Sequence, residues 1–427
     1  MEVDLASIDL TDLDRFAHGF PYETFALLRR EAPVWFHPAT PHTPGGEGFW
    51  VVSRHADCLR ASSDGTTFSS HTGPGREGSG GTLIEDLPGG FAAGVLLNMT
   101  DDPRHNEVRR LLTPSVSPRA LERLEEDLRT RTARIVDTVA EAGECDLVVD
   151  VATELPLQAI SHLLGVPQED RHHLYGWATA TLDYDDRQLG EASERTQAAS
   201  AAMFDYGTRL VAAKRAGGPA HAHDMLAAAV ASAAPELDEL ELQMLFNLLV
   251  AAGSETTRNS ITLGLLALAA EPEQWDRLHR DRSLVPSAVE EVLRHAATTP
   301  YNRRTATADT TLGGQRIAAG DKVTLWWASA NRDEAVFDEP DRFRIDRTPN
   351  PHLAFGHGSH FCLGANLART EIRLVLEAFL DRFEGLELVG ELERTRSNKH
   401  TGVRHAPVRL GSRAGHRRVD GPGGTAG

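Results

Sequence analysis

Apolar side chains recur at helical spacing in the middle of the chain, and the first such stretch begins near residue 117. Ser117 and Pro118 suit an N-cap and the first position of a helix. The apolar residues that follow on one helical face are Leu121, Leu124, Leu128, Ile135 and Val139. This spacing predicts an amphipathic helix whose apolar face is buried.

A second apolar pattern is much longer. It runs from Asp238 to Ala270, and Glu241 stands three residues after Asp238, as in a capping box. About 32 helical residues span roughly 48 Å, so this helix is predicted to cross the whole molecule. A further helix is predicted to begin at Ser287 and Glu290.

Three short segments carry the β-branched and aromatic residues that favour strands. They are Phe49–Val52, Leu312–Ile317 with a turn at Gly313 and Gly314, and Val323–Trp327. No repeat of roughly 20 to 50 residues is visible, and Pro and Gly are spread along the chain. The pattern therefore predicts a single large domain that is mainly α with a smaller β part.

Composition argues against several functional classes. The chain has 427 residues, with 44 Lys and Arg and 62 Asp and Glu, which gives a formal net charge of -18. This charge argues against binding nucleic acid by phosphate neutralisation. The cysteines Cys58, Cys145 and Cys362 form no CxxC pair, which argues against a disulfide framework or a cysteine-rich zinc site. Because the start lacks a signal-peptide pattern and no apolar stretch is long enough to span a membrane, we expect a cytoplasmic protein without a membrane anchor.

One of these cysteines lies in a glycine-rich loop. In the stretch FGHGSHFCLGANLAR, residues 355–369, Gly356 permits backbone angles that other residues resist, and Gly364 allows close approach to a flat group. A helix is predicted from Ala365, and its N-terminus would favour a negative charge on the sulfur of Cys362. From these residues alone, the alternative is a buried and unreactive cysteine.

The spacing F-G-x-G-x-H-x-C-x-G, followed by L-A-R, resembles the haem-binding loop of the cytochrome P450 family, the haem-thiolate monooxygenases. The resemblance implies that Cys362 is the proximal ligand of the iron and that its sulfur favours cleavage of the O–O bond. It also implies that Phe355 packs beside the sulfur and that His360 reaches a haem propionate. The implied fold is the P450 fold, with haem b between the long central helix and the cysteine loop.

An acid and an alcohol interrupt the apolar surface of the long helix. Glu255 and Thr256 follow Ala252 and Gly253, with apolar residues on both sides. A polar break inside a helix is common at functional sites. In the P450 family such a pair lines the oxygen-binding groove, so the resemblance implies that Thr256 holds dioxygen and Glu255 relays protons. Ala252 and Gly253 would leave space above the iron.

Two further motifs place charged residues at helical spacing. Glu291 and Arg294 share one helix face, where an ordinary surface ion pair is the simplest interpretation. The resemblance implies instead the structural E-x-x-R pair of the family, completed by Arg342 in the segment PDRF.

The second of these motifs is basic. His105 and Arg109, four residues apart, could bind one anion together, and both match the propionate ligands of the family, as does Arg304 in RRTA. Propionates removed from water need paired charge. A redox partner is expected to dock near the cysteine loop, on a basic patch that includes Arg104 and Arg110.

These features predict an O2-dependent monooxygenase that hydroxylates a small hydrophobic natural product of terpenoid or polyketide type, in secondary metabolism such as antibiotic biosynthesis. Electrons should come from NAD(P)H through a ferredoxin and its reductase, because the chain has no flavin or iron–sulfur module. The alternative is hydroxylation of a steroid or branched-lipid side chain, since several stretches resemble actinobacterial enzymes with such substrates. Glu255 and Thr256 argue against a peroxygenase, and Cys362 argues against a non-catalytic haem sensor or auxiliary protein.

By family position, the residues predicted to line the substrate pocket are Val250, Ala296, Thr299, Lys399 and His400. The turn NKHT at 398–401 is polar, which favours a substrate with a polar or anionic end if the turn faces the pocket; otherwise Lys399 points into water. The predicted boundaries are an N-terminal extension over 1–20, the P450 domain over 21–411 and a disordered C-terminal tail over 412–427. We expect a monomer.

Overall fold

The α-helices of the chain surround one long central helix. The computed structural model describes residues 5–182, 184–218, 220–221 and 223–412. In this part of the chain the α-helices are α1 (Tyr22–Glu31), α2 (His55–Ser63), α3 (Arg104–Leu112), α4 (Pro118–Ala142), α5 (Glu154–Leu163), α6 (Arg171–Leu182), α7 (Glu194–Arg215), α8 (Met225–Val230), α9 (Glu239–Ala270), α10 (Pro272–Arg280), α11 (Val285–Ala296), α12 (Trp327–Ala330) and α13 (Ala365–Arg382). A π-helical turn spans Leu147–Ala152. Short 3-10 turns lie at Leu5–Ser7, Leu13–Phe16, Pro44–Gly46, Leu97–Met99, Thr113–Val116, Gln168–Asp170, Arg282–Leu284 and Gly358–His360.

The central helix α9 forms as predicted. The Asp238 side chain accepts a hydrogen bond from the N–H of Glu241, and the Glu241 side chain accepts one from the N–H of Asp238, so the capping box is complete. The 32 residues of α9 contact α5, α6, α7, α11 and α13. This helix therefore forms a wall of the site at the centre of the molecule.

Three other helix predictions can be compared with the structure. Helix α4 has Ser117 as its N-cap, and α13 begins at Ala365, both as predicted. Helix α11 begins at Val285, two residues before the predicted start at Ser287. The reason is that Pro286 occupies the first turn, where a missing backbone N–H costs nothing.

The strands form one larger sheet and several small ones. They are β1 (Val34–His37), β2 (Phe49–Val52), β3 (Phe68–Ser69), β4 (Ser79–Gly80), β5 (Leu87–Pro88), β6 (Glu144–Asp146), β7 (Tyr301–Ala306), β8 (Thr310–Leu312), β9 (Gln315–Ile317), β10 (Lys322–Trp326), β11 (Phe383–Leu388), β12 (Glu393–Arg394), β13 (Val403–His405) and β14 (Pro407–Ser412). The larger sheet has the order β1-β2-β10-β7-β3, in which β10 and β2 are parallel with Val323 opposite Trp50. In the other sheets, β14 lies between β11 and β6, and β4 pairs with β5, β8 with β9 and β12 with β13.

The predicted strands agree with this arrangement. Strand β2 has the predicted bounds, and β8 and β9 form the predicted hairpin with Gly313 and Gly314 at its turn, both at positive φ. Strand β10 ends one residue before Trp327, because Trp327 begins α12. The prediction of one domain that is mainly α with a smaller β part is confirmed.

The N-terminal segment packs onto this domain. Its buried apolar residues include Ile8, Leu10, Phe16 and Phe20. They lie in one cluster with Tyr301 and Trp326 of the larger sheet. Of the predicted tail over 412–427, Ser412 ends β14, and residues 413–427 lie outside the described residues. Within the described residues, no helix combines the length and the apolar composition needed to cross a membrane.

Candidate active site

A cavity of about 310 Å³ lies beside the middle of α9. Helix α3, strand β7 and the loop before α13 provide other parts of its wall. The predicted site residues that line this cavity are His105, Arg109, Ala252, Gly253, Thr256, Thr299, Arg304, Phe355, Gly356, His360, Cys362 and Gly364. The fold therefore brings together residues that are more than 250 positions apart in the sequence, since His105 and Cys362 face the same space.

The cysteine loop presents a thiol to this cavity. Gly356 has φ of 67°, which a residue with a side chain rarely adopts, and the N–H of Cys362 donates to the carbonyl of Phe355 at 2.9 Å. The Cys362 side chain is accessible from the cavity but surrounded by protein. Desolvation raises the pKa of its thiol, while the N–H of Gly364 and the positive charge of Arg109 lower it. A positively charged ligand on the sulfur would stabilise the thiolate further.

Four basic side chains meet at the cavity: His105 and Arg109 from α3, Arg304 from β7 and His360 from the cysteine loop. The centres of the His105 and His360 rings lie 4.0 Å apart. Burial lowers the pKa of Arg304 to about 10. Burial and the neighbouring positive charges lower the pKa of His360 to about 2. Among the described residues, no carboxylate forms a salt bridge with Arg109, Arg304 or His360. A buried basic cluster of this kind fits a ligand that carries carboxylates.

A buried ion network stands behind the cysteine loop. Glu291 and Arg294 are fully buried, and Glu291 accepts from Arg294 Nε at 2.7 Å. The third side chain is Arg347, whose Nε donates to Glu291 at 3.1 Å. The prediction of Arg342 for this position was wrong, because its side chain is 53% exposed and pairs with Glu339. The Arg342 carbonyl, however, accepts hydrogen bonds from both buried arginines.

Glu290, the neighbour of Glu291, joins α11 to α13. It accepts hydrogen bonds from Arg369 at 2.7 Å and from His352 at 3.0 Å. Burial raises the pKa of Glu290, but hydrogen bonds from Arg369 and His352 bring it down to about 2. The Arg369 guanidinium also lies 4.7 Å from the centre of the Phe355 ring, so it fixes the start of the cysteine loop. The sequence alone does not indicate this role, although Arg369 is the last residue of the stretch FGHGSHFCLGANLAR.

The sequence profile described as cytochrome P450 matches residues 84–407. The chain belongs to the cytochrome P450 family. It is 48% identical over 413 residues to the cytochrome P450 126 of Mycobacterium tuberculosis, with 95% of this chain and 98% of that protein covered. It is 38% identical over 410 residues to a steroid C26-monooxygenase of Rhodococcus jostii, with 94% and 84% covered. A solved structure of a Mycobacterium marinum P450 in complex with pseudoionone has a TM-score of 0.85 and 32% identity, with 96% of this chain and 100% of that chain covered.

P450 enzymes use haem and O2, and the residues of this site fit haem. Cys362 would hold the iron, and the basic cluster of His105, Arg109, Arg304 and His360 would bind the two propionates. Gly364 supports this fit, because a Cβ there would meet nothing within 4 Å and the backbone leaves room for a flat ring. When bound through a cysteine sulfur, haem supplies the activation of oxygen for insertion into a substrate.

The acid and the alcohol of α9 point in different directions. Thr256 lines the cavity, and its Oγ1 donates to the carbonyl of Ala252 at 2.9 Å. Glu255 does not border the cavity; its carboxylate is buried and accepts from Arg258 at 3.0 Å through Oε1. Burial raises the pKa of Glu255, whereas the charge of Arg258 lowers it. Gly253 lines the cavity and also packs against Ile160, whose Cδ1 would lie 2.8 Å from an added Cβ.

The predicted substrate-pocket residues separate into two groups. Thr299 lines the cavity, whereas Val250, Ala296, Lys399 and His400 lie outside its lining. Lys399 is also not directed into water, because its Nζ is buried and donates to the carbonyl of Tyr301 at 2.9 Å. The lining residues that the sequence analysis missed are largely aliphatic and include Ile160, Leu163, Met225, Leu248 and Leu249.

Proposed function

We propose that this P450 uses O2 to hydroxylate a small hydrophobic natural product of terpenoid or polyketide type. The observation that carries the proposal is the aliphatic wall of the cavity, to which α9 contributes Leu248 and Leu249 about two turns before Thr256. An apolar wall binds an apolar carbon skeleton and gives it little polar anchoring. Thr299 and Asn98 are polar residues on the same wall, and the buried Asn98 Oδ1 has no hydrogen-bond partner among the described residues. In this proposal Asn98 Oδ1 accepts a hydrogen bond from a hydroxyl group of the substrate.

Hydroxylation of a steroid or branched-lipid side chain is the second candidate. It is favoured by the 38% identity to the Rhodococcus jostii steroid C26-monooxygenase. Titration of the purified holoprotein with matched terpenoids, macrolactones, sterols and branched fatty acids distinguishes the two. We expect the largest optical shift and the lowest dissociation constant with a terpenoid or macrolactone. Tighter binding and terminal hydroxylation of a sterol side chain would favour the second candidate instead.

In this proposal Thr256 holds the proton donor for oxygen activation at its Oγ1. Thr256→Ala should therefore lower the product formed per NAD(P)H by roughly tenfold, at the low end of the effect of a positioned proton donor. Oxygen and NAD(P)H consumption should continue, with hydrogen peroxide replacing product. Thr256→Ser, which keeps the hydroxyl, is the matched control and should retain most of the coupling. Equal coupling in wild type and Thr256→Ala would contradict this role.

The electrons are proposed to come from NAD(P)H through a ferredoxin and its reductase. Arg104 of the predicted basic patch is already paired within the molecule. It donates hydrogen bonds to both carboxylate oxygens of Glu241, at 2.6 and 2.7 Å. Arg104 therefore joins α3 to the start of α9 and is committed within the molecule. Arg110 forms a hydrogen bond to the carbonyl of Asn106 in its own helix and remains a candidate for the docking surface.

A further inference from the structure

A second cleft, of about 490 Å³, lies between the end of α4, the π-helical turn and α6. Its lining includes the ionisable side chains of Glu144, Asp150, Glu154 and His172. Glu144 and Asp150 are exposed, so this cleft communicates with solvent. Tyr175 of α6 also lines it and is half-buried.

A short series of contacts leads from this cleft to the acid of α9. The hydroxyl oxygen of Tyr175 accepts a hydrogen bond from Arg258 at 2.7 Å. Arg258 in turn donates to Glu255 Oε1 at 3.0 Å, and its guanidinium lies 5.6 Å from the centre of the Tyr175 ring. Because the tyrosine oxygen accepts from Arg258, its own hydrogen remains available to water in the cleft.

The second oxygen of Glu255 supports a water connection. Glu255 Oε2 is buried and has no hydrogen-bond partner among the described residues. A buried carboxylate oxygen in this condition indicates bound water, because an unsatisfied charged acceptor is costly. An arginine stays protonated and cannot itself pass a proton on, so Arg258 can orient this water and the carboxylate but cannot relay through its own nitrogen atoms.

We propose that protons reach Glu255 from the α4–α6 cleft, through water aligned by Tyr175 and Arg258, which act as positioning residues. This inference rests on the proposed role of Glu255. The overall reaction combines a C–H substrate, O2, two electrons from the redox partner and two protons to give the alcohol and water. The proposed path supplies the protons to Glu255. Of Glu255 and Thr256, it is Thr256 that borders the cavity.

Other charged groups also face Glu255. Arg404 of β13 lies near its carboxylate and is itself bound to Asp185. His400 lies near Arg258, and the charges of Lys399 and Arg258 add to the burial that lowers its pKa to about 3. These groups contribute to the electrostatic potential at Glu255. Tyr175, however, provides the hydroxyl that connects the solvent-facing cleft to Arg258.

The test compares Tyr175→Phe with Tyr206→Phe in the holoenzyme. Tyr206 is a suitable control because it is half-buried on the adjacent helix α7 and its hydroxyl makes one hydrogen bond of 2.7 Å, to Asp170. Both changes remove one hydroxyl and keep the ring. With any substrate that the wild type hydroxylates, Tyr175→Phe should lower product per NAD(P)H by roughly threefold and raise the solvent isotope effect by about twofold, a part of what positioned proton transfer contributes. Tyr206→Phe should change neither quantity.

Turnover supported by hydrogen peroxide separates a proton-delivery role from a structural one. Peroxide brings two protons and two electrons with its oxygen, so Tyr175→Phe should match wild type in that assay. An unchanged solvent isotope effect and coupling in Tyr175→Phe would overturn the inference, as would an equal loss of peroxide-supported turnover. Failure of the proposed function would give a different result: the wild-type enzyme would hydroxylate a substrate of another class.

Discussion

Replacement of Cys362 by serine is expected to abolish monooxygenase activity. The Cys362 sulfur faces the cavity beside the basic cluster, and a hydroxyl in its place donates far less electron density to an iron than a thiolate does. We expect turnover to fall by at least about a thousandfold, which corresponds to about 4 kcal/mol of activation free energy. The spectrum of the dithionite-reduced protein with carbon monoxide measures the ligand directly, because the strongly red-shifted Soret band of the wild type should disappear.

Cys145→Ser is the matched control for this substitution. Cys145 is a half-buried thiol in β6, outside the cavity, and burial raises its pKa to about 12. It should therefore remain a neutral thiol, and its replacement should leave the Soret band at its wild-type position. Retention of the red-shifted band in Cys362→Ser, or its loss in Cys145→Ser, would exclude Cys362 as the iron ligand.

The parts of the fold that the sequence could predict are those that short-range interactions determine. The start of α9 depends on Asp238 and Glu241, three residues apart, and both capping hydrogen bonds form. The hairpin of β8 and β9 depends on two adjacent glycines at its turn. The cysteine loop is similar, because Gly356 adopts a positive φ and Ala365 begins a helix within one short segment.

The identity of the third network residue could not be predicted in this way. Arg342 and Arg347 lie five positions apart in a segment without a regular helix or strand, so no periodicity shows which side chain faces inward. The structure directs Arg347 to Glu291 and leaves Arg342 exposed. Matching the PDRF segment to the family located the correct loop but assigned the charge to the wrong side chain, since it is the Arg342 carbonyl that joins the network.

The position of the turn at 398–401 relative to the cavity could not be predicted from the sequence either. A polar turn is normally exposed, but this one is covered by the N-terminal segment, whose Leu10 carbonyl accepts a hydrogen bond from Asn398. On its other side, the N–H of Thr401 donates to the carbonyl of Thr298. Lys399 is thereby buried against Tyr301 and away from the cavity. Such a contact across almost 400 residues has no local signal in the sequence.

Glu291→Gln is expected to destabilise the protein strongly without touching the cavity. The glutamine would keep the shape of Glu291 but remove the negative charge that balances Arg294 and Arg347, which are both buried. Breaking a buried ion pair by removing one partner typically costs about 3 to 5 kcal/mol of unfolding free energy. Denaturant unfolding of purified protein measures this loss, and the fraction of haem-loaded protein should fall with it, because the same carboxylate accepts from Asn350 just before the cysteine loop.

Comparison of Arg347→Met with Arg342→Met tests whether the loss comes from the buried network rather than from charge in general. Both changes remove one arginine from the same loop and leave a long apolar side chain. Arg347→Met should cost about 2 to 3 kcal/mol, because Glu291 loses a hydrogen-bonded cation and, among the described residues, keeps only Arg294 as a charged partner. Arg342→Met should stay within about 0.5 kcal/mol of wild type, since its exposed pair with Glu339 contributes little. A larger loss of unfolding free energy in Arg342→Met than in Arg347→Met would make Arg342 the third charged member of the network and exclude Arg347.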